Sequence, residues 1–332
     1  MDSSRKRRTA PTIADVAELA GVSRAIASRA LSSESRPVSA DKRARVLEAA
    51  EKLGFKPNLL ARSLTTKTVN LIAVIVNHIH DFSDLDLFDL LIGEIQSIGK
   101  QVIFLRVGSV ERIEEFLRNG VAYHVDAALV FSDFADAESV RTMFRNDDVL
   151  MLNGMHDSSS PSVVPDEAVG IAEAVADAAG KGVATAALVT GRVSSPVEQS
   201  RVAAYKTEMQ RHGIRLVAEL RGDYSYASGR QMAQSADWPD VDAVFCTSDA
   251  MAMGVMDVHR DAFPHNRPER FRLYGFDNLS LTDFEAYPIS SIGYDKKAYV
   301  DEILRFLTRP GEFADGKAEV TVPTFFVARA TS

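Results

Sequence analysis

The run Ser23-Arg24-Ala25-Ile26-Ala27-Ser28-Arg29-Ala30-Leu31 places two arginines five residues apart. Wound as a helix, it turns Ile26, Ala27, Ala30 and Leu31 inward and leaves Arg24, Ala25, Ser28 and Arg29 on the outer face. A planar guanidinium can fork onto the O6 and N7 edge of a guanine, so this face has the chemistry of a major-groove reader. A second cluster lies in residues 77–89, NHIHDFSDLDLFD, with His78, His80, Asp81, Asp84 and Asp86. His-x-His beside carboxylates can ligate a divalent metal or meet a cationic molecule; the same residues also make an ordinary solvated rim. No catalytic constellation accompanies them. The chain has no P-loop, HExxH or GxSxG, and Gly180-Lys181-Gly182 falls short of a dinucleotide fingerprint. The expectation is a chain that is not an enzyme, with no cofactor and no metal site to assign.

The elements that must carry the arginine face are legible on either side of it. Thr12 is a good N-cap for a helix over residues 13–20, in which Ile13, Val16, Ala17 and Ala20 form one apolar stripe. Gly21 supplies a tight turn, and Ser23 caps the second helix, which runs to Leu31. Helix, glycine turn and helix with outward arginines is helix-turn-helix logic. Ser39 caps a third helix through Leu53, with Val46, Leu47, Ala50 and Leu53 inward, and Gly54 sits at its C-terminus. Phe55-Lys56-Pro57 leads out, and Asn58 caps a short segment ending at Leu64. Residues 1–11 contain Arg5-Lys6-Arg7-Arg8 without periodicity and read as a flexible basic arm.

Charge divides the chain. Residues 1–67 hold 14 Lys and Arg against 7 Asp and Glu, whereas the remainder of the 332 residues holds 24 against 39. One end suits phosphate and the rest repels it. A lone cysteine, Cys246, excludes an intramolecular disulfide framework and suits a reducing, cytoplasmic setting; there is no run of transmembrane length and no signal peptide.

From about Asn70 the pattern becomes alternating strands and helices. Strands are expected over residues 71–76, 102–105, 127–131, 149–152, 186–189, 243–246 and 272–274. Helices are expected over residues 84–98, 109–119, 136–146, 166–179, 197–211 and 249–261. Two βαβ series imply two parallel-sheet lobes with a ligand cleft at the carboxyl ends of the strands.

The runs TIADVAELAGVS, SADKRARVLEAAEKLGFKPN and ARSL resemble the LacI/GalR (lactose-repressor) family of bacterial transcription regulators. VVPDEAVG, SRVAAYKTEM, GDYSYASG, AVFCTSDAMAMG, RLYGFDN and FFVARATS continue the likeness in order. The resemblance implies an all-α helix-turn-helix domain over residues 12–57 and a hinge helix and linker over 58–69. A periplasmic-binding-protein-like α/β core of two parallel-sheet lobes then fills residues 70–332. The first lobe would take about 70–163 and 292–320, the second about 164–290 and 322–332. It implies DNA contacts from Thr12, Ser23, Arg24, Ala25, Ser28 and Arg29. Asn58, Ala61 and Leu64 would act at the hinge, with Leu64 wedging into the minor groove. It implies effector contacts from Arg201, Tyr224, Ser248 and Asp277, with Phe82 the nearest candidate for a further aromatic contact.

The sequence departs from the family at Ile26-Ala27, where Thr-Val is usual, and in the first-strand loop, which is about three residues longer. The resulting expectation is a transcription regulator, a repressor, that binds a pseudo-palindromic operator in double-stranded DNA as a homodimer. A small sugar-like effector in the interlobe cleft would control it. Two alternatives stay open: control by a protein partner or metal ion, and a ligand-binding protein whose DNA-binding domain is vestigial. The chain ends after its last strand without leucine heptads, so no tetramerising coiled coil is expected.

Overall fold

The computed structural model describes residues 11–31, 38–55, 68–77, 82–119, 124–152, 155, 160–313 and 319–332. The chain divides into two compact units, Met1–Val69 and Asn70–Ser332.

In the first unit, α1 (Ile13–Leu19), α2 (Arg24–Leu31) and α3 (Ala40–Leu53) pack on one another. Their shared core is Val16, Ala17, Ala20, Ala27, Ala30, Val46, Ala49 and Ala50. Six of these eight are alanines, whose small side chains let short helices approach closely. Thr12 and Asp15 cap α1 reciprocally: the Asp15 carboxylate accepts from the Thr12 backbone N–H at 2.7 Å, and Thr12 Oγ1 accepts from the Asp15 N–H at 3.4 Å. Gly21 has φ +63°, a left-handed turn that a side chain resists, and Ser23 Oγ accepts from the Ile26 N–H at 3.3 Å. Two expectations need correction. Leu47 is half exposed, because Val46, Ala49 and Ala50 form the inner face of α3. Ser39 precedes α3 but makes no side-chain cap hydrogen bond.

The second unit is an α/β core. Its strands are β1 (Leu71–Val76), β2 (Gln101–Arg106), β3 (Ala127–Val130), β4 (Val149–Met151), β5 (Ser162–Asp166), β6 (Thr185–Thr190), β7 (Arg215–Arg221), β8 (Ala243–Cys246), β9 (Arg272–Phe276), β10 (Ser290–Tyr294) and β11 (Glu319–Val327). They run in the order β2-β1-β3-β4-β5-β11-β10-β9-β8-β6-β7. Residues 319–323 of β11 pair with β5 in parallel, and residues 324–327 pair with β10 antiparallel, so one nine-residue strand belongs to both lobes. β5 stays in the first lobe's sheet through Asp166, and β10 stays in the second lobe's sheet through Tyr294. Each boundary therefore lies two or three residues beyond the one expected from sequence.

The helices are α4 (Phe82–Ser97), α5 (Val110–Asn119), α6 (Ala137–Phe144), α7 (Glu167–Gly180), α8 (Pro196–Arg211), α9 (Tyr226–Ala233), α10 (Asp249–Val258) and α11 (Lys296–Thr308). β1 reads LIAVIV and is buried over its last five residues, as a strand covered on both faces should be. α4 and α11 cover one face of the first lobe, with Leu91, Ile95, Val300 and Ile303 against Ile72, Leu129 and Leu150. α7 and α8 cover the second lobe through Ile171, Val175, Tyr205 and Met209 against Leu188, Phe245 and Tyr274. Among the described residues no helix is long and apolar enough to cross a membrane.

Candidate functional site

The two halves of the sheet leave a cavity of about 220 Å³ at their carboxyl ends. Phe131 follows β3, Leu152 follows β4, Asp277 follows β9 and Tyr294 ends β10, and all four line it. Leu87, Val164, Pro165, Val197, Phe276 and Tyr299 add apolar and aromatic wall, while Glu167, Arg201 and Asp277 are its charged members. A concave site with apolar walls and few convergent polar groups is the usual form of a small-molecule pocket.

Arg201 is the most heavily engaged of these. It projects from α8, donates from Nε and Nη2 to the two carboxylate oxygens of Glu167 at 2.9 and 2.5 Å, and donates from Nη1 to the Thr247 carbonyl at 2.8 Å. Its flat face lies 3.8 Å from the centre of the Phe276 ring. Burial works against its charge, but Glu167, with Glu198 behind it, raises the Arg201 pKa well above the ordinary value.

Glu198 organises a layer beneath the cavity. Its carboxylate accepts from the Gly191 N–H at 2.5 Å, Thr247 Oγ1 at 2.7 Å and the Tyr224 hydroxyl at 3.0 Å. Tyr224 adopts φ +74° to reach it, and the Arg192 guanidinium lies 4.9 Å above its ring. The fit is close: a Cβ built on Gly191 would sit 2.0 Å from Tyr224 Cε1, so no other residue fits there unless the ring moves. Burial, with Glu198 alongside, pushes the Tyr224 hydroxyl far above its usual range, so it stays a donor.

Contacts between the lobes flank the cavity. On one side Asp86 of α4 accepts from the Ser280 N–H at 3.0 Å and from Ser280 Oγ at 3.1 Å, with Lys296 Nζ at 3.4 Å. On the other, Asp133 lies 3.4 Å from Ser195 Oγ and 3.6 Å from Arg192 Nη2. In the first unit, Arg24, Ala25, Ser28 and Arg29 are all exposed along α2, while Ala27 and Ala30 are buried beneath them.

Residues 12–58 match the family described as bacterial regulatory proteins, lacI family, and residues 175–332 match the periplasmic binding protein-like domain. The chain thus carries a lacI-family DNA-binding domain and a periplasmic binding protein-like domain, and its relatives are LacI-family regulators. It is 29% identical over 328 residues to the HTH-type transcriptional regulator AscG of Escherichia coli (strain K12), covering 92% of this chain and 94% of that one. It is also 29% identical over 292 residues to catabolite control protein A of Priestia megaterium, covering 85% and 86%. In fold it matches the lac repressor dimer bound to operator and the anti-inducer ONPF, with TM-score 0.84 and 24% identity over 97% of this chain and 99% of that one. LacI-family members are DNA-binding transcriptional regulators, and this chain has their two-part architecture.

Within this chain, the residues singled out from sequence fall in different places. Arg201 and Asp277 stand on the cavity wall. Tyr224 is one layer back, on Glu198, and is not among the lining residues. Ser248 also lies off that wall: it caps α10, accepting from the Met251 N–H at 3.2 Å and donating to the Tyr224 carbonyl at 2.9 Å. Phe82 is the first residue of α4. Asn58, Ala61 and Leu64 lie outside the described residues, as do His78, His80 and Asp81 of the histidine-bearing loop. Among the described residues no three His, Cys, Asp or Glu side chains group to hold a metal.

Glu167, Phe131, Tyr294 and Tyr299 were not anticipated. Glu167 sits in the quoted run VVPDEAVG, whose acidic pair just after a strand end was the available signal. The two tyrosines lie around β10, a strand too short and too polar at Ser290-Ser291 to stand out.

Proposed function

We propose that this chain is a transcriptional repressor that binds a pseudo-palindromic operator as a homodimer and is controlled by a small polar effector in the interlobe cavity. The observation that carries the reading is the cavity itself, walled by strand ends of both lobes and furnished with Arg201, Glu167 and Asp277. A ligand there touches both lobes and so favours one angle between them over another. Any such bias is worth the ligand's difference in affinity for the two arrangements, typically 1–3 kcal/mol.

The exposed α2 face supports the DNA half of the reading. Arg24 and Arg29 are free of intramolecular core packing, and the outer face beside Arg24 carries only the small Ala25. One such helix makes few base contacts, which favours two copies on a near-palindrome. The lac repressor that is similar in fold is itself a dimer bound to operator. A fluorescence-anisotropy titration of the full chain on duplex DNA from upstream of its own gene tests the proposal. Sequence-selective, salt-sensitive binding that a small metabolite shifts is expected. Equal affinity for scrambled DNA, with and without metabolite pools, would refute it. Light scattering showing a monomer at micromolar concentration would refute the dimer.

A further inference from the structure

We propose that the interlobe cavity selects a small organic cation, an amine on a compact apolar or hydroxylated body, over neutral and anionic counterparts. The inference rests on the proposed function and names the ligand class of that same site. Three carboxylates surround one guanidinium: Glu167 and Asp277 line the cavity, and Glu198 stands 3.7 Å from Arg201 directly behind it. Among the described residues that line the cavity, Arg201 is the sole cation.

That cation is already engaged within the protein. The Nε and Nη2 edge, the edge that forks onto carboxylates, already holds both oxygens of Glu167, and Nη1 holds the Thr247 carbonyl. Its face is stacked on Phe276. An anionic ligand would have to displace a carboxylate from a buried pair and then sit beside Asp277 and Glu198. A positive group instead meets net negative charge beside the aromatic side chains of Phe131, Tyr294 and Tyr299, which line the same cavity. The volume of about 220 Å³ lies below the roughly 300–1,000 Å³ usual for larger ligands, which limits the occupant to a compact molecule.

The test is isothermal titration of the full chain with two charge-matched series: glucosamine, glucose and glucuronate; benzylamine, benzyl alcohol and benzoate. In at least one series the amine is expected to bind tenfold or more tightly than its neutral and anionic counterparts. Asp277→Asn should abolish that preference. Glu167→Gln, which releases the Arg201 fork while keeping its shape, should raise affinity for glucuronate or benzoate. Thermal melts of both variants check that they are folded. Absence of amine binding in both series, or neutral or anionic binding as tight as the amine in both, overturns the proposal. Tight binding of glucose or glucuronate that shifts DNA affinity would leave the effector reading standing. Failure of all six, together with unaltered DNA control in the cavity-filling variant Val164→Trp, would count against both.

Discussion

The Arg201 guanidinium and the Glu167 carboxylate face each other through two parallel hydrogen bonds, 2.9 and 2.5 Å long, with both side chains about nine-tenths buried. Neither would be stable there alone. Removing one partner of a buried pair costs about 3–5 kcal/mol, because the other charge is stranded. Glu198 at 3.7 Å relieves part of that cost. Glu167→Ala is therefore expected to lower stability by about 2–3 kcal/mol, and Glu167→Gln by about half as much. Urea denaturation followed by Trp238 fluorescence measures this; Trp238 stacks on His259 at 4.8 Å within the second lobe and reports its unfolding. A loss below 0.5 kcal/mol in Glu167→Ala, on the order of a solvated pair, would show that the pair is not buried in solution.

The α2 face predicts two separable defects. A guanidinium forked onto a base is worth about 1–3 kcal/mol of discrimination, so Arg24→Ala should weaken operator binding about tenfold or more while non-specific binding changes little. A residue on phosphate behaves differently: its loss weakens all sequences and lowers the salt slope by about 0.9. Anisotropy titrations at several salt concentrations distinguish the two. A uniform loss across operator and scrambled DNA in Arg24→Ala would remove it from base reading.

Why some of this was legible in sequence and some not follows from the residues involved. The first unit was readable because its caps, turn and apolar stripe all agree: Thr12, Gly21 and the Val16-Ala17-Ala20 face point to one answer. Buried parallel strands such as LIAVIV announce themselves by composition. β7 alternates along RLVAELR at the sheet edge, and β11 carries Pro323 where it passes from one lobe to the other; neither has an unbroken apolar run. The site was only half legible. Arg201 and Asp277 follow strand ends and helix starts, positions fixed by the fold. That Glu167 would occupy the Arg201 fork depends on residues 34 apart in sequence meeting across α7 and α8, which no local pattern encodes.

The contact between Asp86 and Ser280 predicts a handle on lobe closure. The Asp86 carboxylate takes two hydrogen bonds from the opposite lobe, and its side chain is about one-third exposed. Screening reduces such a charged contact to about 1 kcal/mol. Asp86→Ala should therefore shift the balance between closed and open lobes about fivefold toward open. Small-angle scattering of the effector-free chain should show a larger radius of gyration, and effector affinity should fall by a similar factor. Unchanged scattering and affinity together would mean that Asp86 does not hold the lobes.

The Asp249 carboxyl gives the last prediction, a pH dependence. Asp249 is fully buried at the start of α10, where it accepts from the Leu279 N–H at 2.8 Å and from Ser291 Oγ at 2.7 Å. These bonds anchor the turn that carries Asp277. Burial pushes its pKa well above the usual carboxylate range, and the charge of Asp277 adds to the shift. A folded-state pKa raised above the unfolded value means that the folded chain holds a proton the unfolded chain has lost. Stability from this group is thus complete below the ordinary value of 3.8 and declines as pH rises toward the folded value. The slope reaches at most about 1.4 kcal/mol per pH unit. Asp249→Asn keeps an acceptor without the titrating proton, so its stability should fall less than that of the unaltered chain as pH rises above the ordinary carboxyl value of 3.8. Urea midpoints across that rise in pH measure the difference. Parallel pH profiles for the two proteins would mean that the folded chain holds no extra proton on Asp249 and would remove it as the source of the dependence.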